Sequence, residues 1–211
     1  MKYLLIGIAC VCSAKAAVFE LNFAGGLMNG ENVRPNPINT PATGGEIVGI
    51  SEPEPGISYN DSTHQLFLNF GWGDAVGFSD LNGNMISAEI RGPADADGDG
   101  ERLYSLLPLV NTITSGGHDG GVFQRTLQLV PNPNNRGFSI EAQESQLLAG
   151  QWFITVGSSY AGPDEIRGQL VPVPEPQTYG LMGGLGLIAF AGWRKYSKIR
   201  WTVIPRPCLV Q

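Results

Sequence analysis

Six stretches of this chain alternate apolar and polar residues with a period of two, and that alternation restricts them to strands that bury one face. They are Phe19-Glu-Leu-Asn-Phe23, Gln65-Leu-Phe-Leu-Asn-Phe70, Ile86-Ser-Ala-Glu-Ile90, Phe123-Gln-Arg-Thr-Leu-Gln-Leu129, Trp152-Phe-Ile-Thr-Val156 and Glu165-Ile-Arg-Gly-Gln-Leu170. Between them lie turn-forming clusters: Asn29-Gly30, Thr43-Gly44-Gly45, Asn82-Gly83-Asn84, Ser115-Gly116-Gly117 and Asn132-Pro133-Asn134-Asn135. One helical segment stands out, Ser139 to Ala149, closed by Gly150 as a helix C-terminus commonly is. The pattern predicts an all-β body, a Greek-key-like β-sandwich, with a helix at each end of the chain added by targeting segments.

The N-terminal segment opens with Met1-Lys2, continues through the apolar run Tyr3 to Cys12, and ends on Ser13-Ala14-Lys15-Ala16-Ala17. A charged start, an apolar middle and a small-x-small site make a secretory signal over residues 1–17, cut by signal peptidase after Ala16 or Ala17. A lipid anchor on Cys10 or Cys12 is the rival reading, weakened because Gly7 and Ala9, not Leu, stand three residues upstream. The remaining cysteine, Cys208, lies far beyond the strands. The body at 18–171 therefore holds no cysteine and must be stabilised by a core, which about 150 residues can supply.

That body is anionic. Its bases are Arg34, Arg91, Arg102, Arg125, Arg136 and Arg167, with no lysine, and the whole chain carries a formal charge of −6. Nucleic acid and anionic headgroups are poor partners for it, whereas divalent cations and neutral polysaccharide suit it; plain solubility accounts for the acidity equally well.

The C-terminal region reads Val173-Pro174-Glu175-Pro176, an uncharged apolar segment at 179–193, then Arg194-Lys195. As a helix that segment reaches roughly 22 Å, short against a hydrocarbon core of about 30 Å. Tyr179 and Trp193 at the interfaces, with Arg194, Lys195 and Lys198 reaching outward, would let it span as a single transmembrane helix. The excess of basic residues after it keeps the tail at 196–211 cytoplasmic and the body outside. That tail is either an unstructured remnant or a segment that binds something inside.

Val173 to Lys195 resembles the PEP-CTERM sorting signal, with motif, Gly-rich span and basic stop in order. The resemblance implies a sorting motif at Val173, Pro174, Glu175, Pro176, Arg194 and Lys195. It further implies an exosortase-type membrane protease as partner. The product would be exported across the inner membrane, anchored transiently, and then displayed at the cell surface or released. In this chain the tail runs on to Gln211, further past the basic pair than such signals usually do.

A second resemblance covers 18–171. Leu147-Leu148-Ala149-Gly150-Gln151-Trp152 followed by Gly162-Pro163-Asp164-Glu165-Ile166-Arg167-Gly168-Gln169-Leu170, together with Ser87-Ala88-Glu89-Ile90-Arg91-Gly92-Pro93-Ala94, resembles a CHRD domain, the module named after chordin. Signal, sandwich and sorting motif in this order imply an exported, non-catalytic CHRD-like module, and the sorting resemblance, with its exopolysaccharide-linked export, implies a place within or against extracellular polysaccharide. The family pattern carries a His-x-His-Gly-Pro-Ala run where this chain has Glu89 to Ala94, and a further His near Val156-Gly157-Ser158 that is also missing. Copper or zinc chemistry of the superoxide dismutase kind, the weakest of the function classes considered, loses its ligands with those histidines.

Glu-Ile-Arg-Gly occurs twice, at Glu89 to Gly92 and Glu165 to Gly168. If the two strands are neighbours, Glu89, Arg91, Glu165 and Arg167 form an ion-pair ladder on one face, with Ile90 and Ile166 in the core. The candidate metal site is Asp95-Ala-Asp97-Gly-Asp99-Gly100-Glu101, whose alternating carboxylates resemble the front half of a Ca²⁺ loop. Leu106 stands where an EF-hand needs Glu, so the loop is either an isolated Ca²⁺ site of Asp95, Asp97, Asp99 and Glu101, supporting a Ca²⁺-stabilised adhesion module, or an acidic turn. His118 with Asp119 makes a weak metal pair, and His64 reads as structural. Trp72 and Trp152 could stack on sugar rings or fill the core. No nucleophile elbow or phosphate-cradling loop is present, so no enzymatic activity is expected.

Overall fold

The computed structural model describes residues 17–47, 56–107, 111–115, 118–174, 190 and 193. The chain divides into two units, 1–173 and 174–211. The signal segment, apart from Ala17, lies outside the described residues, as does the 179–193 span apart from Phe190 and Trp193. Among the described residues no helix is long and apolar enough to cross a membrane.

The body is all-β and antiparallel. Its strands are β1 (Val18–Phe23), β2 (Met28–Asn29), β3 (Thr43–Glu46), β4 (Ile57–Asn60), β5 (Gln65–Trp72), β6 (Met85–Arg91), β7 (Arg102–Ser105), β8 (Asn111–Ser115), β9 (His118–Gln128), β10 (Phe153–Ser158) and β11 (Gly162–Pro172). The helix is α1 (Ile140–Leu148). All six strands expected from the period of two are present, and α1 falls inside the helical segment read from the sequence.

The eleven strands form one continuous sheet rather than two separate ones. One leaf runs β4-β5-β9-β8 and the other β11-β10-β6-β7. β1 joins them: Val18 to Leu21 register with Asn60 to Ile57 of β4, and Leu21 to Phe23 with Pro172 to Leu170 of β11. β2 and β3 make a second bridge, pairing Asn29 with Arg167 and Gly44 with Trp72. The chain crosses between leaves repeatedly, β5 leading to β6 and β7, back to β8 and β9, and through α1 to β10 and β11.

Alternation fixes what lies between the leaves. Leu66, Leu68, Phe70 and Trp72 of β5 point inward with Phe123 of β9, and Ala88, Ile90, Ile154, Val156, Ile166 and Leu170 point inward from the other leaf, all buried. Phe70 stacks on Phe123 with centroids 5.6 Å apart and meets Phe23 edge-on at 6.1 Å. Each buried Leu, Ile, Val or Phe among them contributes roughly 1.5–3 kcal/mol, so this core can hold a body without disulfides. The glycine of the second Glu-Ile-Arg-Gly is required by packing: a Cβ on Gly168 would meet the Phe23 ring and come within 2.6 Å of Met28 Cγ.

α1 is held at both ends and on its inner face. Ser139 Oγ accepts from the Ala142 N–H at 3.2 Å, and Gly150 takes the left-handed conformation (φ 72°) that ends the helix. Leu147 is buried in the core, and Gln143 donates to Val130 O at 2.8 Å while accepting from the Tyr104 hydroxyl.

Candidate functional site

The outward face of the β6-β10-β11 leaf gathers the charged residues singled out in the sequence. Its register sets Glu89 opposite Thr155 and Thr155 opposite Arg167, so β10 separates the two Glu-Ile-Arg-Gly strands. The expected ladder therefore does not form, although all four charged residues belong to the same leaf. Arg91 turns to Asp164 at 2.7 Å, with Asp99 at 3.6 Å and Glu89 at 3.9 Å; Glu89 also meets Arg102 at 3.3 Å. Ile90 and Ile166 do face the core, as the alternation predicts.

Arg167 is 2% exposed and makes no ion pair among the described residues. Its guanidinium lies 3.6 Å from the centre of the Phe153 ring, a cation–π contact supplied by the intervening strand. It donates to Gly98 O at 2.6 Å, Asp95 O at 3.2 Å and Gln169 Oε1 at 3.0 Å. Burial, and then the nearby Arg34 charge, push its pKa down to about 10, so it stays protonated at neutral pH. Gln169 completes the fastening by donating to Ala94 O at 2.9 Å and Gly150 O at 2.6 Å. The acidic loop is thus pinned to the sheet through its backbone carbonyls.

Its carboxylates go elsewhere. Asp97 pairs with Arg34 at 3.3 Å, Asp99 with Arg91 at 3.6 Å, and Glu101 with Arg136. Two backbone oxygens, those of Asp95 and Gly98, are occupied by Arg167. Among the described residues no three His, Cys, Asp or Glu side chains gather as a metal site. The structure thus brings Asp95, Asp97, Asp99 and Glu101 onto one loop but directs the last three toward different arginines. Sequence reasoning missed Arg34 and Arg136 as partners; the signal was there in a body with only six cations, all arginine, beside a run of four acids.

Glu165 is fully buried and, among the described residues, pairs with no cation, accepting from Thr40 Oγ1 at 2.8 Å, the Asn82 N–H at 2.9 Å and Ser158 Oγ. A groove of about 300 Å³ is lined by residues 33–38, Ala161, Pro163 and Asp164. Among the described residues, Thr155 Oγ1, Arg91 Nε and Asp164 Oδ1 are buried with no hydrogen-bond partner.

The remaining candidates have structural places. Trp72 and Trp152 are fully buried, which removes them as sugar-stacking platforms and makes them core. His64 Nδ1 lies 3.2 Å from the Tyr59 hydroxyl, which donates to Glu144 Oε2 at 3.4 Å, tying β4 to α1. Burial, with Glu144 adding to it, raises the Tyr59 pKa far above the ordinary tyrosine value. Asp119 accepts from the Met85 N–H at 2.7 Å; the side chain of His118 lies outside the described residues.

The sorting motif starts where the sheet stops. β11 ends at Pro172, the Val173 N–H makes a bond of 2.9 Å to Glu20 O, and Pro174 is exposed. Glu175, Pro176, Arg194 and Lys195 lie outside the described residues.

Residues 172–195 match the family model of the PEP-CTERM protein-sorting motif. A motif of this kind implies processing by an exosortase, a membrane protein, with export and membrane-associated sorting toward the cell surface. The CHRD resemblance has no family-model support. No curated protein and no solved structure matches the chain.

Proposed function

We propose that this protein is an exported, non-catalytic surface or matrix module, CHRD-like in its body, delivered by its C-terminal signal and resident in extracellular polysaccharide. The observation that carries the reading is the matched motif at residues 172–195 beginning at the last residue of the last strand. Cleavage near Pro174 to Pro176 would remove the anchor without taking a strand residue from the sheet. The anionic, lysine-free body, a poor partner for nucleic acid and anionic headgroups, is compatible with a neutral polysaccharide surrounding.

The test is cell fractionation of the full chain in hosts with and without an exosortase. The reading expects surface or medium localisation with the protease and membrane retention without it, and Glu175→Ala should reproduce the retention. Soluble cytoplasmic protein in both hosts would overturn it.

A further inference from the structure

The first described residue is Ala17. Its N–H lies 2.9 Å from Asp61 Oδ1, and its carbonyl accepts from the Asp61 N–H at 3.2 Å, closing the open end of the β1–β4 pair just before Val18 registers with Asn60. The residues immediately upstream are Ala14-Lys15-Ala16, small-x-small with the cut falling before Ala17. A cut one residue later would place Lys15 at the position that calls for a small side chain, and would delete both bonds to Asp61.

Resting on the export reading above, we propose that signal peptidase hydrolyses the Ala16–Ala17 bond and that the new α-ammonium of Ala17 is captured by the Asp61 carboxylate. In the step, water adds across the amide: its hydroxyl goes to the Ala16 acyl carbon, leaving a carboxylate, and the Ala17 nitrogen departs as an amine that is protonated at neutral pH. The neutral N–H contact seen in the uncut chain becomes a charge-assisted one, which is shorter and stronger. Processing therefore tightens the end of β1, the strand that joins the two leaves.

The product has a second unusual property. From Ala17 to Val173 the chain contains no lysine, since its four lysines are Lys2, Lys15, Lys195 and Lys198. After both ends are removed, the Ala17 α-amine is the single primary amine of the molecule, and it sits against Asp61.

The full chain, exported from a host with signal peptidase and exosortase, is purified and its N-terminus sequenced, then labelled with an amine-reactive ester near neutral pH. The expected result is a start at Ala17, one label per chain, and labelling about twofold to fivefold slower than in Asp61→Asn, the range set by a modest ion pair. An exported product starting at Val18 or at any other residue overturns the assigned cut. Equal labelling rates in the two proteins overturn the capture by Asp61. Three labels on a chain starting at Ala17 mean that Lys195 and Lys198 remain: the N-terminal assignment stands while the C-terminal sorting reading fails. A cytoplasmic chain still starting at Met1 overturns both.

Discussion

Arg167 shows how a single residue acquires its role from a neighbour that sequence does not reveal. Its stacking partner Phe153 comes from β10, and its acceptors from the acidic loop. Arg167→Ala is expected to lower stability by about 3 kcal/mol in a urea melt, from lost packing and newly unpaired buried oxygens. Arg167→Lys should recover less than half of that, because an ammonium cannot keep the planar stack and the fork of donors together. The alternation of β11 made the outward face of this residue legible; its burial was not, because the cover is a loop distant in sequence. Glu46 gives a pH test. Burial holds its carboxyl above the ordinary value of 4.5, against the N–H groups of Ile57 and Gly56 that pull it down. A raised acid favours the folded state while protonated, so that contribution is complete below pH about 4.5 and is lost as pH rises through the shifted value. Glu46→Gln should abolish that decline, seen as a flatter dependence of melting temperature on pH just above 4.5.

At the scale of elements, α1 and the six regular strands could be read directly, since cap, period and stop signal agree. Ser139→Ala removes the cap to Ala142 and should cost about 1 kcal/mol, read by thermal or urea unfolding of the full body. β3 was hidden because its centre is Gly44-Gly45, which reads as a turn. The glycines are there for space: a Cβ on Gly44 would lie 2.7 Å from Gly71 O, and one on Gly45 would lie 2.8 Å from the Phe78 ring. β2 has two residues, too few to show any period. The repeated Glu-Ile-Arg-Gly gave the correct outward face for four charged residues and the wrong neighbour, because repetition along a chain does not encode strand order. The acidic loop carries the metal prediction. With the carboxylates of Asp97, Asp99 and Glu101 on Arg34, Arg91 and Arg136 and two of its carbonyls on Arg167, neither added Ca²⁺ nor a chelator should move the melting temperature. A clear upward shift with Ca²⁺ would instead restore Asp95, Asp97, Asp99 and Glu101 as a site, with the arginines displaced.

For the whole molecule, the sequence announces its destination more plainly than its ligand. The sorting motif is a linear signal, readable without a fold, whereas a binding face is assembled from separate strands and loops and depends on register. The folded sheet holds residues next to both expected cuts: Ala17 through Asp61 and Val173 through Glu20. Folds of this kind host many functions, so the fold alone does not choose a ligand. The account stands or falls on what becomes of the C-terminal segment. The direct measurement is the intact mass of the full chain recovered from cells that contain an exosortase. The account predicts a product ending between Val173 and Pro176, found outside the inner membrane. A product retaining residues 179–211 in the membrane of those same cells would contradict it.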